Sequence, residues 1–537
     1  MKKRPHIIIF NPDEMRWDTM GHMGNPAAAT PFLDAFAGNE AVSFRNAFCQ
    51  NPVCVPSRCS FFTGLYPHVH GHRTMSHLLH PGEDNLFSEL RAAGYYVWMN
   101  ARNDLFAGQI EGWAESNADE IFYGGNVPQA PGPFVPPAAH QKGDKDLYSH
   151  FEGKLALDAD GRNYNSDDES VDAAIEFIKN RKTEQPLCMF LGLMFPHVPY
   201  EVEDPYYSAI DQAKLPLRVK AEECSGKSRM LDLIRKYQQL DSYSEEDWNE
   251  LRAIYLGMCA KIDAQFQRLC DGLKAAGIYD DCAIFFLSDH GDFDGDYGLT
   301  EKAQNSFEDC LVRVPLLVKP PKDARLDAGV TDALAELVDF YATAMDYAGE
   351  ELKRTQFGRS LRPVIEDRSR ENRSFVYCEG GRLPEEEHCD EFHSSGPNGP
   401  DPNFVYWPKM MAQTDDIAHA KGTMIRNRDY KYVSRIAGAD EFYDLKADPM
   451  ERVNRINDPA CKAVIIHMQE EMLKWYQRTC DLVPYAYDRR FTDEMLWAKV
   501  KNICPPGSEA EIKEKIREGM KQGLLMQYIK NNYNCED

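Results

Sequence analysis

The sequence predicts an α/β fold: a large, mixed but mostly parallel sheet sandwiched by helices, followed by a smaller C-terminal α+β domain with an antiparallel sheet. Continuous apolar runs, which are typical of strands buried on both faces, recur through the first part of the chain. Segments with helical periodicity separate these runs, and this alternation favours a parallel sheet. After about residue 370, short strand patterns take over.

The predicted strands of the large sheet are bounded by polar or turn residues. In chain order they are HIIIF at 6–10, YYVWM at 95–99, PLCMFLGLMF at 186–195, CAIFFLSD at 282–289 and VPLLVKP at 314–320. Helical periodicity lies between them at 86–94, 170–182 and 254–277. Because ligands of such sheets bind at the carboxyl ends of the strands, polar residues that directly follow a strand are candidate site residues.

The pattern of the second part predicts a different sheet. RSFVYCEGG at 373–381, GTMIRNRDYKYVSRI at 422–436 and DEFYDL at 440–445 are typical of short antiparallel strands. Between the first two lies segment 381–411, which is rich in proline, glycine, acidic and aromatic residues. Such a segment is either a solvated insertion or a wall of a binding cleft.

We therefore divide the chain into three parts. We expect residues 1–370 to form a large α/β domain, residues 371–460 a small domain, and residues 461–537 a helical arm, where amphipathic periodicity returns. The arm could pack on a neighbouring subunit, so a homo-oligomer is possible.

Composition and charge exclude several classes of function. The chain has 61 Lys and Arg against 86 Asp and Glu, a net charge of −25, which disfavours binding to nucleic acid. Its first apolar run is too short for a signal peptide or a membrane span, and the 15 cysteines form no C-x-x-C pair. We expect a cytoplasmic protein with free thiols and without a membrane partner.

Acidic residues and a histidine follow two of the predicted strands. Asp13 and Glu14 come after the first strand, and Asp289 and His290 stand at the end of the fourth. Together they would form an oxygen-rich site for a hard divalent cation. Either pair alone is more often part of a turn or a helix cap.

Two further polar residues follow strands. His197 lies between prolines after the third strand, and the restricted backbone could aim its imidazole, although such a histidine is often only hydrogen-bonded. Lys302 follows the Asp289 cluster, and alone it has the pattern of an ordinary surface lysine.

The segment NPVCVPSRCSFFTG at 51–64 places Cys54 at the start of a predicted helix. Pro56 suits an early helix position, and Arg58 lies one turn beyond Cys54 on the same face. A cysteine, an arginine and a helix amino terminus together predict an anion site that contains a nucleophile. A buried free thiol is the usual role of a lone cysteine, but it leaves Arg58 unexplained.

These residues resemble the type I sulfatases of the alkaline phosphatase-like superfamily. CVPSR followed by TGLYPHVHG is similar to their C-x-P-S-R signature, at which a maturation enzyme oxidises the cysteine to formylglycine. The similarity continues in order through FPHVPY, SDHGDFDGDYGLTEK, RVPLLVKPP, MIRNRDYKYV and EFYDLKADPMERVN. It implies the alkaline phosphatase-like fold and hydrolysis of a sulfate monoester.

The resemblance implies a role for each matching residue. Cys54 would become formylglycine, made by a formylglycine-generating or an anaerobic sulfatase-maturating enzyme, and its hydrate would attack sulfur. Arg58 would hold this nucleophile, while His197 and Lys302 would bind the sulfate and assist the leaving group. The expected cation is calcium, with magnesium and manganese as alternatives, and its ligands would be Asp13, Glu14, Asp289, His290 and residue 54.

The chain departs from the family after the second strand. Many sulfatases have Gly-Lys-x-His-Leu there, whereas this chain reads ARNDL. Arg102 would replace the lysine, and Asp104 would replace the histidine that helps to break down the sulfated intermediate. Asp104 could accept the proton instead, or His70 or His72 could approach.

Other departures leave the reaction open. Glu14 stands where the family has aspartate, and His290 stands where many sulfatases have asparagine; histidine at that position is also found in phosphonate monoester hydrolases. A phosphonate monoester or phosphodiester hydrolase with the same nucleophile is therefore an alternative, and a non-catalytic binder of sulfated ligands is another. The substrate could be a sugar, aryl or steroid sulfate, and its binding residues would include His70, His72, Arg382 and His393.

Overall fold

The computed structural model describes residues 4–125, 144–161, 163–389, 401–484 and 489–533, together with the backbone of a hairpin at 395–396 and 399–400. These residues form two units. The large unit runs to Leu352 and from Gln356 to Asp481, and the small unit consists of Lys353–Thr355 and the chain from Leu482 onwards.

In the described chain, the large unit is built on a nine-stranded mixed sheet. The strand order is Gly329–Glu336, Val42–Phe48, Leu316–Lys319, Cys282–Leu287, His6–Asn11, Leu187–Gly192, Tyr96–Asn100 and Glu120–Phe122, and Arg313–Val314 also pairs with Val42–Phe48. His6–Asn11 is parallel to both neighbours, while Leu316–Lys319 is antiparallel to both of its own. The predicted large, mostly parallel sheet is confirmed.

Helices cover both faces of this sheet. Alternate residues of the central strand His6–Asn11 lie in two different hydrophobic clusters. One cluster contains Phe62 of the helix Cys54–Thr63, and the other contains Phe266 of the helix Glu245–Ala275. Since successive strand residues point to opposite faces, the two clusters are the two sides of the sandwich.

The remaining helices of the large unit are short or amphipathic. Those of seven or more residues are Pro31–Asn39, Leu86–Ala92, Ser166–Asn180, Arg229–Gln238, Val338–Ala348, Trp407–Gln413 and Lys462–Thr479. Shorter α-helices are Pro67–His70, Trp113–Asn117, Asp309–Val312 and Arg362–Glu366. No helix in the described ranges has the length and apolar character needed to cross a membrane.

A second, antiparallel sheet lies in the later part of the large unit. Its strands, in order, are Val376–Gly380, Gly422–Arg426, Tyr430–Arg435 and Glu441–Asp444. The helix Lys462–Thr479 packs on it, with Trp475 stacked on Tyr377 at a ring-centroid distance of 4.3 Å. The predicted antiparallel sheet is therefore confirmed.

The described part of the small unit contains helices and no strand. It contains Asp493–Val500, Glu509–Arg517 and Gln522–Tyr533. Leu496, Ile512 and Leu525 are among the buried residues of its own apolar core. The division of the chain into parts at residues 370 and 460 stays a prediction.

Candidate active site

Cys54 is the first residue of the helix Cys54–Thr63, and every residue of this helix is buried. The helix is fixed to the large sheet by Ser57, whose hydroxyl donates to the carbonyl of Asp289 at 2.7 Å. Asp289 lies just beyond the strand Cys282–Leu287. The amino terminus of the helix is therefore held against the carboxyl end of a central strand.

Carboxylates and an imidazole surround the thiol. Asp13 and Asp289 follow two neighbouring parallel strands, so their side chains meet at one edge of the sheet. The Sγ atom of Cys54 lies 3.5 Å from Oδ1 of Asp13 and 3.2 Å from Nε2 of His290. Ligand atoms of these four residues lie within 4.8 Å of one another, in the arrangement expected of a metal site.

Arg58 joins the two carboxylates. Its Nε donates to Oδ2 of Asp289 at 2.8 Å, and a terminal nitrogen donates to Oδ2 of Asp13 at 3.0 Å. Burial alone would raise the pKa of Asp13, but the positive charges of Arg102 and Arg58 outweigh it and hold that pKa well below its ordinary value. Asp13 is therefore an anion in spite of its burial.

Arg102 and Asp104 lie beside this cluster. Arg102 donates to Oδ2 of Asp13 at 2.7 Å and to the carbonyl of Leu193 at 2.9 Å. Oδ2 of Asp104 lies 3.3 Å from a terminal nitrogen of Arg58, and its backbone has a φ of 52°. Arg102 and Asp104, which belong to the unusual ARNDL segment, thus each contact a residue of the group that surrounds Cys54.

Lys302, Glu14 and His197 form a second group next to the first. Nζ of Lys302 donates to Oε2 of Glu14 at 3.1 Å and to Nε2 of His197 at 2.8 Å. Nδ1 of His197 lies 2.7 Å from the carbonyl of Val198, to which it must donate. The imidazole is therefore held with Nε2 as the acceptor from Lys302.

The donor set fits a divalent cation. Oε1 of Glu14 is buried and has no hydrogen-bond partner among the described residues. Nδ1 of His290 lies 3.0 Å from the carbonyl of Gly291, and its Nε2 lies 3.4 Å from Oδ1 of Asp13. Burial raises the pKa of Glu14 well above its ordinary value in spite of Lys302, and a cation would favour its ionised form.

The other predicted substrate-binding residues, His70, His72 and Arg382, each contact an acidic side chain. His70 and His72 contact Glu83, at 2.7 Å and 3.1 Å from its Oε1. Arg382 pairs with Asp416 at 2.9 Å. His393 lies outside the described residues, and substrate binding by this set stays a prediction.

Three charged or titratable residues near Lys302 were missed by the sequence analysis. Glu301 lies 2.9 Å from Nζ of Lys302 and also pairs with Lys409. Burial would raise the pKa of Glu301, but Lys302 and Lys409 hold it below its ordinary value. His150, close to the same charges, is buried. Lys409 lies in segment 381–411, which the sequence analysis considered as a possible wall of a binding cleft, and this was the one sign that it could lie near the site.

Comparison with known proteins gives one coherent result. A family model described as Sulfatase matches residues 5–350. The multifunctional alkaline phosphatase superfamily protein PehA of Trinickia caryophylli is 25% identical over 88% of this chain and 95% of its own. The choline-sulfatase of Rhizobium meliloti is 25% identical over 85% of this chain and 83% of its own. The crystal structure of a phosphonate monoester hydrolase of Agrobacterium radiobacter, 21% identical, shares the fold with a TM-score of 0.68 over 89% of this chain and 96% of its own.

Proposed function

Since this chain belongs to the sulfatase family, we propose that it hydrolyses a small sulfate monoester with a nucleophile derived from Cys54. One observation carries the proposal: the thiol lies at a buried helix amino terminus, within 3.5 Å of both Asp13 and His290. A buried free cysteine behaves as a small apolar residue, whereas the neighbours of Cys54 are charged or polar. The arrangement suits a reactive group that requires activation.

The thiol itself is the precursor of the nucleophile. Formylglycine at position 54 would supply a geminal diol as the oxygen nucleophile, and the CVPSR sequence supports its formation by a maturation enzyme. Arg58, on the same helix face, then serves to hold position 54 against Asp13 and Asp289.

Asp13, Asp289, His290 and residue 54 would hold a divalent cation, with Glu14 at the edge of the set. Such an ion, expected to be calcium, would stabilise the negative charge that develops on the sulfuryl oxygens. The orphaned Oε1 of Glu14 supports this assignment.

The protein's own cations position the substrate anion. Lys302 and Arg102 flank the cluster, and each is fixed by a carboxylate, Glu14 and Asp13 respectively. His197 accepts from Lys302, so a proton can pass between them and the leaving alcohol. Asp104 is the basic group near Arg58 that stands where the family has histidine.

A phosphonate monoester or phosphodiester hydrolase is the second candidate. His290 favours it, because its Nε2 lies 3.2 Å from Cys54 and an imidazole is a ligand typical of transition metals rather than of calcium. PehA is described as multifunctional, and a phosphonate monoester hydrolase shares the fold. The cytoplasmic location, the homo-oligomer and the maturation partner stay predictions.

Paired ester assays test the proposal. Protein made with a coexpressed formylglycine-generating enzyme should carry an aldehyde at position 54 by peptide mass, and should hydrolyse 4-nitrophenyl sulfate faster than 4-nitrophenyl phenylphosphonate. Cys54→Ala should lower kcat/KM by about 10³-fold or more, because the nucleophile is removed. Cys59→Ala, at a buried cysteine of the same helix, is the matched control. A Cys54→Ala variant with full activity would exclude the mechanism, and faster phosphonate hydrolysis would favour the second candidate.

A further inference from the structure

Histidines are concentrated in one short segment. Five of the 15 histidines lie between residues 68 and 80. A histidine-rich tract is typical of metal binding, but only when the rings converge on one point. His68 does not join the others, because its two ring nitrogens contact Glu379 at 2.8 Å and the carbonyl of Thr479 at 3.0 Å.

Two of these rings converge on a carboxylate. Nδ1 of His70 lies 2.7 Å from Oε1 of Glu83, and Nε2 of His72 lies 3.1 Å from the same oxygen. Possible ligand atoms of the three side chains all lie within 4.8 Å of one another. The set of two imidazoles and one carboxylate is one that zinc uses when a fourth position is open to water.

Hydrogen bonds also fix the second polar atom of His72 and of Glu83. Nδ1 of His72 lies 2.8 Å from the carbonyl of His77, and Oε2 of Glu83 accepts from the amide of His80 at 2.6 Å. Outer hydrogen bonds of this kind orient metal-binding imidazoles and carboxylates. They leave Nε2 of His72 and Oε1 of Glu83 turned toward each other.

The charge of Glu83 suits a cation at this position. Burial raises the pKa of Glu83, but hydrogen bonds from His70, His72 and the amide of His80 outweigh it and lower that pKa, so the carboxylate is ionised and ready to bind.

We propose that His70, His72 and Glu83 form a zinc site that is separate from the cluster around Cys54. Zinc bound at about 2.0–2.1 Å places tetrahedral ligand atoms roughly 3.3 Å apart, so the present contacts of 2.7 Å and 3.1 Å need to open by about 0.6 Å and about 0.2 Å. His70 is exposed, which gives the ion a path from solvent.

A zinc ion at this site would stabilise the chain that follows the helix Cys54–Thr63. His70 ends the short helix Pro67–His70, which follows Cys54–Thr63, and Glu83 comes just before the helix Leu86–Ala92. An ion that links them closes the intervening loop and stabilises the folded state by mass action.

Zinc titration of the full chain tests the site. Competition with a chromophoric chelator should show one zinc equivalent more in the unchanged protein than in His70→Gln or Glu83→Gln, or a loss of affinity of about tenfold or more at that equivalent. The exposed His70 can be replaced without disturbing the core. His467→Gln, at an exposed histidine of another helix, is the matched control and should bind as the unchanged protein does.

Two further measurements separate this ion from zinc bound elsewhere. Cys54→Ala alters the other cluster and should keep the equivalent that His70→Gln loses. Zinc should raise the melting temperature of the unchanged protein and of His467→Gln more than that of His70→Gln and Glu83→Gln. The proposal would be overturned if the unchanged protein, His70→Gln and Glu83→Gln bound zinc with equal stoichiometry and affinity. Their melting temperatures would show that the variants are folded.

Discussion

Arg58 and Asp289 form an ion pair from which solvent is fully excluded, with Nε of Arg58 2.8 Å from Oδ2 of Asp289. The same guanidinium bonds Asp13 at 3.0 Å, so one arginine of the helix Cys54–Thr63 is tied to residues that follow two central strands. Two buried carboxylates cannot stay ionised side by side without such a partner. Arg58, which holds the helix Cys54–Thr63 in place, therefore also balances the charge of both carboxylates, together with Arg102 at Asp13.

Replacing Arg58 should damage stability and activity together. In Arg58→Gln the two carboxylates lose their shared counter-charge, and we expect a loss of about 3–5 kcal/mol in the free energy of unfolding. Arg58→Lys keeps the charge but loses the planar fork, so its stability should fall less while kcat/KM still falls by about 10²-fold or more. Urea unfolding and ester assays measure the two effects. An Arg58→Gln variant that unfolds at the unchanged urea concentration would contradict the stabilising role of the pair.

Removal of divalent cations should abolish most of the activity. A chelator would leave the carboxylates and imidazole around residue 54 without their ion, so we expect kcat/KM to fall by about 10²-fold or more and the melting temperature to fall as well. Calcium, magnesium and manganese added back separately would identify the ion by the recovered rate. Full activity in the presence of the chelator would show that the reaction needs no exchangeable metal.

The strands that carry the site could be predicted, because they are apolar runs. The predicted strands at 6–10 and 282–289 correspond to His6–Asn11 and Cys282–Leu287. The strand Val42–Phe48 was missed, since polar residues interrupt its apolar pattern. Its Asn46 is buried, and the amide nitrogen of that side chain donates to the carbonyl of Asp332 at 3.0 Å. Such a partner, distant in sequence, lets a polar residue lie in a buried strand, and no local pattern reveals it.

Some residues of the site could likewise be predicted from the sequence, whereas others could not. Asp13, Cys54 and Asp289 could be brought together by reasoning, because each follows a strand or begins a helix at one edge of the sheet. The pairing of Glu301 with Lys409 joins residues far apart in the chain, and neither lies in a periodic pattern that predicts the contact. Sequence periodicity predicts the buried faces of helices and strands, whereas contacts between distant segments depend on the completed packing.

Asp104 should govern the last step of turnover. Its Oδ2 lies 3.3 Å from Arg58, where an acceptor for a proton is needed if position 104 replaces the family's histidine. In Asp104→Asn we expect kcat to fall by about 10²–10⁴-fold, with a burst of product before the slow steady state. Asp104→His should recover part of the steady-state rate, and both side chains tolerate the φ of 52°. Unchanged steady-state kinetics in Asp104→Asn would assign the proton to another group.

His150 should make the folded state sensitive to acid. Burial lowers the pKa of this ring to about 3, with Glu301 opposing the shift only in part, whereas an unfolded histidine has a pKa of about 6.5. Between these values the unfolded chain binds a proton that the folded chain does not, so stability rises with pH through this window. The contribution is complete above about pH 6.5 and is lost progressively as the pH falls toward 3.

The variant His150→Asn isolates this contribution, because asparagine does not titrate and tolerates the positive φ of 61° at this position. Relative to the unchanged protein, it should gain about 3 kcal/mol in the free energy of unfolding when the pH is lowered from about 7.5 to about 4. Denaturant unfolding at the two pH values measures this change, and other buried acids and bases cancel because they are common to both proteins. A stability difference that does not vary with pH would mean that the ring binds its proton equally well in the folded and unfolded states. The burial of His150 beside Lys302 and Lys409 would then have no electrostatic consequence.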